Sequence, residues 1–136
     1  MHTARDLMHV NAVTVPAQEP LLEVLHLLVV AGIGGVPVVG TRGEVVGVLS
    51  ASDVLRAVEQ ACDEDRDAGE HDGLRDALQT MTAGDIATPD VIWVSPTTTA
   101  AQVSEIMRAE GIHRVLVGSN DHLEGILTSF DLLRAI

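Results

Sequence analysis

The chain has 136 residues, an apolar fraction of 46% and an aromatic fraction of 1%. This apolar content excludes a disordered chain and predicts either one compact domain or two half-size units. The formal net charge of −12 disfavours nucleic-acid binding, because an acidic surface repels phosphate backbones. The single cysteine fits a cytoplasmic protein without an intramolecular disulfide, and no apolar run is long enough to predict a membrane span.

The first half of the chain is predicted to contain the elements β-α-β-β-α. Its strands are short Val-rich runs at 11–15, 36–39 and 45–49. Pro20 lies in the first turn of the intervening helix, which runs to about Val30, and Gly32 ends it. This helix, LLEVLHLLVVA (21–31), is apolar nearly all round, which predicts burial on more than one side, against the second half or another chain.

The second half is predicted to have the same order of elements. Its strands are expected at 91–94, 115–117 and 123–127. The first helix begins near residues 97–99, where Thr99 and Gln102 have the spacing of a capping box, and Gly111 follows it. Between the halves, a charged stretch at 62–82 is predicted to be an acidic linker with an exposed helix end.

The two halves are copies of one repeat. GVLSASDVLRAV (47–58) and GILTSFDLLRAI (125–136) are identical at six of twelve positions, and ARDLM (4–8) aligns with AGDIA (83–87). The repeats therefore cover 3–61 and 83–136. Because units of about 55 residues are marginally stable alone, we expect a shared core and a homodimer.

An apolar-Pro-Val-Val strand, a turn, and then Gly-h-h-Ser/Thr-x-x-Asp, where h is apolar, resembles the CBS domain. The pattern occurs in GVPVVG with GVLSASD and again in HRVLVG with GILTSFD. The resemblance implies an α+β fold of two β-α-β-β-α CBS repeats packed as a pseudo-twofold Bateman module. Leu116, where the family often has Pro, and Ala87, where Met is common, depart from the pattern without disturbing the fold.

The resemblance also implies an adenosine-type ligand between the repeats, such as AMP, ADP, ATP or S-adenosylmethionine. The Ser/Thr of the motif would contact phosphate and the Asp would hold the ribose, which assigns these roles to Ser50, Asp53, Thr128 and Asp131. A helix N-terminus favours an anion, and a carboxylate accepts two hydrogen bonds from a cis-diol. The same spacing is equally that of an ordinary helix cap that needs no ligand.

His113 and Arg114 precede the central strand of the second repeat, where nucleotide-binding CBS proteins often place a cation against phosphate. The first repeat has Gly34 and Gly35 there, so one phosphate site is predicted, centred on the second repeat. Pairing of Arg114 with an acidic neighbour is the alternative. The resemblance places an adenine slot, for which core packing is the other explanation, among Thr88, Ile92, Val94 and Ile112 of the second repeat and Val13, Val15 and Ile33 of the first.

No spacing of nucleophile and base predicts an enzyme, and neither the six histidines nor the acidic run near Asp63 matches a metal motif. The resemblance implies a regulatory sensor that acts in trans on an effector protein, because the enzyme or channel domain fused to many CBS pairs is not in this chain. The alternative is a structural or interaction module that dimerises and binds a protein partner without a nucleotide.

Overall fold

The computed structural model describes residues 2–10, 13–64, 71–89 and 91–135, with only the backbone described at 61–64 and 71–74. The fold is α+β. Its elements in chain order are α1 (Ala4–Leu7), β1 (Val15–Pro16), α2 (Leu21–Ala31), β2 (Gly35–Val39), β3 (Val45–Ser50), α3 (Ala51–Glu64), α4 (His71–Thr80), α5 (Ala83–Ile86), β4 (Trp93–Val94), α6 (Ala100–Glu110), β5 (Arg114–Ser119), β6 (His122–Thr128) and α7 (Ser129–Leu133).

The chain forms two compact units. The middle unit is Val13–Pro89, and the terminal unit combines Met1–Ala12 with Asp90–Ile136. Each unit contains one three-stranded sheet, β1-β2-β3 in the middle unit and β4-β5-β6 in the terminal unit. In both sheets the short first strand pairs parallel to the central strand and the third strand pairs antiparallel to it.

Each sheet packs on helices through an aliphatic core, as the scarcity of aromatic residues requires. The core of the middle unit consists of Val15, Leu21, Val24, Leu28, Val36, Val38, Leu49, Val54, Leu78 and Ala83. The core of the terminal unit consists of Ala4, Val94, Val103, Met107, Val115, Val117 and Leu127. These positions alternate along the central strands, so that one face of each sheet contacts its helices.

The ends of α2 and α6 confirm the predicted helix signals. Gly32 and Gly111 end the two helices with φ of 65° each, a left-handed conformation that costs glycine little. At the start of α6, the Gln102 N–H donates to Thr99 Oγ1 at 3.2 Å, and the Thr99 N–H donates to Gln102 Oε1 at 3.0 Å. Both helices therefore begin and end within a residue or two of the predicted positions.

The opening segment of each repeat pairs with the sheet of the other repeat. Thr88, which follows α5, forms an antiparallel bridge with Val48 of β3, and His9, which follows α1, forms one with Ile126 of β6. Gly47 precedes Val48, and a Cβ there would lie 2.7 Å from the Thr88 carbonyl oxygen. The glycine that opens the repeated GVLS/GILT motif therefore lets a crossing backbone approach the strand.

Two expectations from the sequence need correction, and the burial of α2 on a second side stays a prediction. Strands expected at 11–15 and 91–94 are reduced to two residues each, because only Val15–Pro16 and Trp93–Val94 pair with a central strand. Residues 11 and 12 lie outside the described residues. Helix α2 buries Leu21, Val24 and Leu28 and exposes Val29 and Val30 within one chain. The charged stretch 62–82 includes α4, whose Leu78 joins the core of the middle unit.

We predict that Gly47→Ala lowers the free energy of unfolding by about 1–3 kcal/mol, the usual cost of overpacking. The added methyl would meet the Thr88 backbone, which cannot rotate away as a side chain would. Val46→Ala on the same strand is the control, since Val46 is exposed and its truncation should cost within about 0.5 kcal/mol. Urea denaturation measures both changes, and equal losses would contradict the steric explanation.

Candidate functional site

In the middle unit, Ser50 and Asp53 form a reciprocal cap at the start of α3. The Asp53 N–H donates to Ser50 Oγ at 3.2 Å, and the Ser50 N–H donates to Asp53 Oδ2 at 3.0 Å. Arg56 lies one turn further on, with Nη1 3.4 Å from Asp53 Oδ1. The Asp53 side chain retains 18% of its accessible surface. This carboxylate therefore keeps acceptor capacity beyond its two partners.

In the terminal unit, Thr128 and Asp131 form the matching cap of α7, but the carboxylate has more partners. Asp131 Oδ2 accepts from the Thr128 N–H at 2.8 Å and from Thr128 Oγ1 at 3.0 Å. Asp131 Oδ1 lies 2.8 Å from His9 Nε2 and also pairs with Arg134. The Asp131 side chain is 1% exposed. Because a carboxylate has about four lone-pair positions, these four contacts fill it.

His113 and Arg114 define the cationic turn, which lies directly beside this cap. Arg114 is opposite Thr128 in the antiparallel register of β5 and β6. The Ser129 N–H and hydroxyl both donate to the His113 carbonyl, at 2.9 and 3.1 Å. The structure thus brings together the phosphate-binding residues that the sequence predicts for the second repeat.

The same positions in the middle unit have the same backbone geometry without the charge. Gly35 is opposite Ser50 in the register of β2 and β3, and the Ala51 N–H donates to the Gly34 carbonyl at 2.9 Å. The two caps are therefore built alike, and the residues before the central strand make them chemically different.

The residues predicted for the adenine slot separate into two groups. Ile92, Val94 and Ile112 contribute to the core of the terminal unit or pack against it. Val15 belongs to the core of the middle unit, where Val13 and Ile33 are exposed. Thr88 belongs to the second repeat by sequence, and its backbone pairs with Val48 in the middle unit.

Two residues that contact Asp131 were not predicted from the sequence. Arg134 is the arginine of the repeated D-x-x-R motif, and its counterpart is Arg56. His9 is the counterpart of Thr88, at the offset that aligns ARDLM with AGDIA. That offset was the available signal, but only the bridge between His9 and Ile126 shows that this residue reaches the opposite repeat.

Helix α1, which precedes His9, begins with a capping box of its own. The Thr3 N–H and hydroxyl donate to Asp6 Oδ2 at 2.9 and 3.1 Å. These hydrogen bonds, the backbone one foremost, hold the pKa of Asp6 below its ordinary value. The Ala4 N–H donates to the Thr98 carbonyl at 2.7 Å. This hydrogen bond joins α1 to the residues just before α6.

The CBS domain family matches the chain at residues 4–60 and 83–136. Together these ranges cover most of the sequence, and the structure has two three-stranded sheets with helices, as CBS pairs do. The chain therefore belongs to the CBS domain family, as a tandem pair of repeats.

Curated relatives match the chain along nearly all of its length. It is 25% identical over 132 residues to the uncharacterized protein MJ1225 of Methanocaldococcus jannaschii, covering 97% of this chain and 42% of that protein. It is 27% identical to arabinose 5-phosphate isomerase KdsD of Escherichia coli, covering 99% of this chain and 35% of the isomerase. Hypoxic response protein 1 of Mycobacterium tuberculosis is 26% identical, with 98% and 85% covered. The chain thus spans less than half of the first two relatives.

Solved structures show the same fold. The CBS domain of a CBS domain containing membrane protein from Sphaerobacter thermophilus has a TM-score of 0.82 and 29% identity, covering 100% of this chain and 88% of that one. CBSX2 in complex with AMP has a TM-score of 0.78 and 25% identity, covering 99% and 96%.

Among the described residues, no helix combines the length and the apolar character that crossing a bilayer requires. Within the same ranges, no three His, Cys, Asp or Glu side chains converge in a way that would hold a metal ion.

We predict that Asp131→Asn destabilises the protein by about 2 kcal/mol and Asp53→Asn by about 1 kcal/mol or less. Asp131 is buried and contacts the side chains of both His9 and Arg134, whereas Asp53 pairs with a single, mostly exposed arginine. Urea denaturation at neutral pH compares the two isosteric variants, each of which keeps a side-chain oxygen for the cap. Equal losses would show that the additional partners of Asp131 contribute nothing to stability.

Proposed function

We propose that this protein is a regulatory CBS pair that binds an adenosine-type ligand and acts in trans on an effector protein. The observation that carries the proposal is the cationic turn beside the Thr128–Asp131 cap. There, a cation for phosphate lies opposite the hydroxyl-bearing Thr128, which caps α7. The fold of a CBS pair, shared with a protein solved in complex with AMP, supports the same ligand class.

The proposed contacts follow from the chemistry of each group. The Arg114 guanidinium can bind phosphate in a bidentate way, and His113 adds a second donor beside it. Thr128 and Ser50 offer hydroxyls at the two caps, and Asp131 and Asp53 offer carboxylates. The apolar contacts to the base are proposed to come from Val13, Val15, Ile33, Thr88, Ile92, Val94 and Ile112.

AMP, ADP, ATP and S-adenosylmethionine remain the candidate ligands. The cationic turn favours a nucleotide phosphate over the cationic sulfonium of S-adenosylmethionine, because like charges repel. A chain with a single cysteine fits the reducing conditions of the cytoplasm, which we propose as its compartment. No enzymatic activity is proposed, since no spacing of nucleophile and base in the sequence predicts one.

We expect His113→Gly with Arg114→Gly to weaken AMP binding about 10- to 100-fold, the equivalent of one or two charge-assisted hydrogen bonds. The double variant copies the Gly34–Gly35 turn that the other repeat already accommodates. Isothermal titration calorimetry with the four candidate ligands measures the affinities.

Arg108→Ala is the matched control for charge, since Arg108 is exposed in the last turn of α6 in the same unit. It should leave the affinity within about twofold, as an exposed charge outside the site contributes little. Absence of AMP binding at millimolar concentration would overturn the ligand proposal. Unchanged affinity in the double variant would show that the cationic turn does not bind the ligand.

The second candidate is an interaction module that dimerises and binds a protein partner without a nucleotide. The observation in its favour is that both cap carboxylates already have partners within the chain. The two candidates differ in a thermal-shift experiment, because only a ligand that prefers the folded state raises the melting temperature. A melting temperature that ignores all four ligands would favour the interaction module.

Self-association is common to both candidates, and we propose a homodimer. At the end of α2, Val29 and Val30 are 73% and 86% exposed. Two adjacent apolar side chains with this much exposure are typical of a surface that is buried in an assembly. A second copy of the chain would bury them, because it supplies the same apolar surface in return.

Val30→Glu is expected to weaken dimerisation at least tenfold, because burying one valine contributes about 1.5 kcal/mol and a buried charge is unfavourable. Sedimentation equilibrium measures the dissociation constant. Thr41→Glu adds the same charge in the exposed turn between β2 and β3 and serves as the control. A wild-type protein that is monomeric at every concentration would refute the homodimer.

A further inference from the structure

His9 and Thr88 occupy equivalent places in the two units, yet only one of them reaches a cap carboxylate. His9 exchanges backbone hydrogen bonds with Ile126 at 2.9 and 3.2 Å, and Thr88 exchanges them with Val48 at 2.9 and 3.0 Å. The two backbone segments therefore pair in the same way, and only their side chains differ. Within the described residues, no side-chain hydrogen bond joins Thr88 to Asp53.

The contact between His9 and Asp131 defines the state of the imidazole. A carboxylate only accepts hydrogen bonds, so Nε2 of His9, 2.8 Å from Asp131 Oδ1, carries the proton. Arg134 Nη2 lies 3.2 Å from the same nitrogen and also binds Oδ1. Two donors therefore converge side by side on one carboxylate oxygen.

Without His9, Asp131 would keep three contacts, one more than the two of Asp53, because the Thr128 hydroxyl also donates to it. Each carboxylate would then bind one arginine through Oδ1 and its own cap through Oδ2. With His9 present, a vicinal diol can bind Asp131 only by displacing a donor, whereas Asp53 has capacity to spare. The side-chain exposures of 1% and 18% agree with this difference.

We propose that His9 is a specificity-determining residue that closes Asp131 to a vicinal diol. This inference rests on the proposed adenosine-type ligand and adds which of the two cap carboxylates can accept its ribose diol. Asp131 is closed by His9, whereas Asp53, whose unit has Thr88 in place of the histidine, has acceptor capacity left.

The test compares AMP with 2′-deoxyadenosine 5′-phosphate, which lacks one hydroxyl of the diol. The background variant Asp53→Asn removes the other carboxylate, so that binding reports on Asp131. In this background we expect the two ligands to bind within about twofold of each other. Adding His9→Thr, the residue at the equivalent place, is expected to make AMP bind about tenfold more tightly than its deoxy counterpart, the effect of one freed charge-assisted hydrogen bond.

Controls separate the diol effect from other consequences of losing a histidine. His122→Thr removes an exposed histidine of the same unit and should leave the preference unchanged. Adding Asp131→Asn to the His9→Thr variant should abolish the gained preference. Calorimetry gives the affinities, and melting temperatures without ligand show whether each variant is folded.

The reciprocal exchange keeps the inference testable if His9→Thr fails to fold. Thr88→His in an Asp131→Asn background is expected to reduce the preference of the middle unit for AMP over its deoxy counterpart. If the unmodified chain binds AMP but neither exchange moves the preference, His9 does not determine specificity. If the unmodified chain binds no adenosine ligand at all, the proposed function fails, and the inference with it.

Discussion

Two short backbone bridges, from His9 to Ile126 and from Thr88 to Val48, hold the arrangement on which both candidate sites depend. Each bridge needs a strand whose surface lets another backbone approach within hydrogen-bonding distance. Gly47 and Gly125 meet that requirement, since a Cβ at either position would come within 3 Å of the crossing segment. Both glycines of the repeated motif are therefore needed for the opening segments to pair with the strands. Each bridge also places one side chain beside a sheet whose strands are distant from it in sequence, namely His9 beside β6 and Thr88 beside β3.

The duplicated scaffold produces two caps of nearly equal geometry and unequal chemistry. In the terminal unit the cationic turn supplies positive charge next to a carboxylate that four contacts fill. The middle unit has a glycine pair instead of the turn and a carboxylate with two partners. Backbone hydrogen bonds fix the positions in both units, so the difference lies in a few side chains. These side chains lie outside the two core clusters, so they can differ without disturbing the core that both repeats need.

Much of the fold was accessible from local patterns in the sequence. Positive-φ glycines after both long helices, the Thr99 capping box and the central strands are determined by residues near one another in the chain. Strand length at β1 and β4 was overestimated, because apolar residues continue beyond the two positions that find a partner. The pairing of each opening segment with the other sheet was not accessible, since both sheets offer the same motif. For that reason the position of Thr88 beside the sheet of the first repeat was not predicted, and His9 was overlooked.

Because the opening segments are exchanged, the two units also become complete at different times during synthesis. The middle unit is one continuous stretch, Val13–Pro89, and its sheet, α5 and bridge are complete once that stretch has been made. The terminal unit joins the first residues of the chain to the last, so its closure spans nearly the whole sequence. Contacts of such long range form late and slowly, because loop closure must precede them. During synthesis on the ribosome, the apolar side chains of α1 therefore have no sheet to pack against until the last strands of the terminal unit have been made.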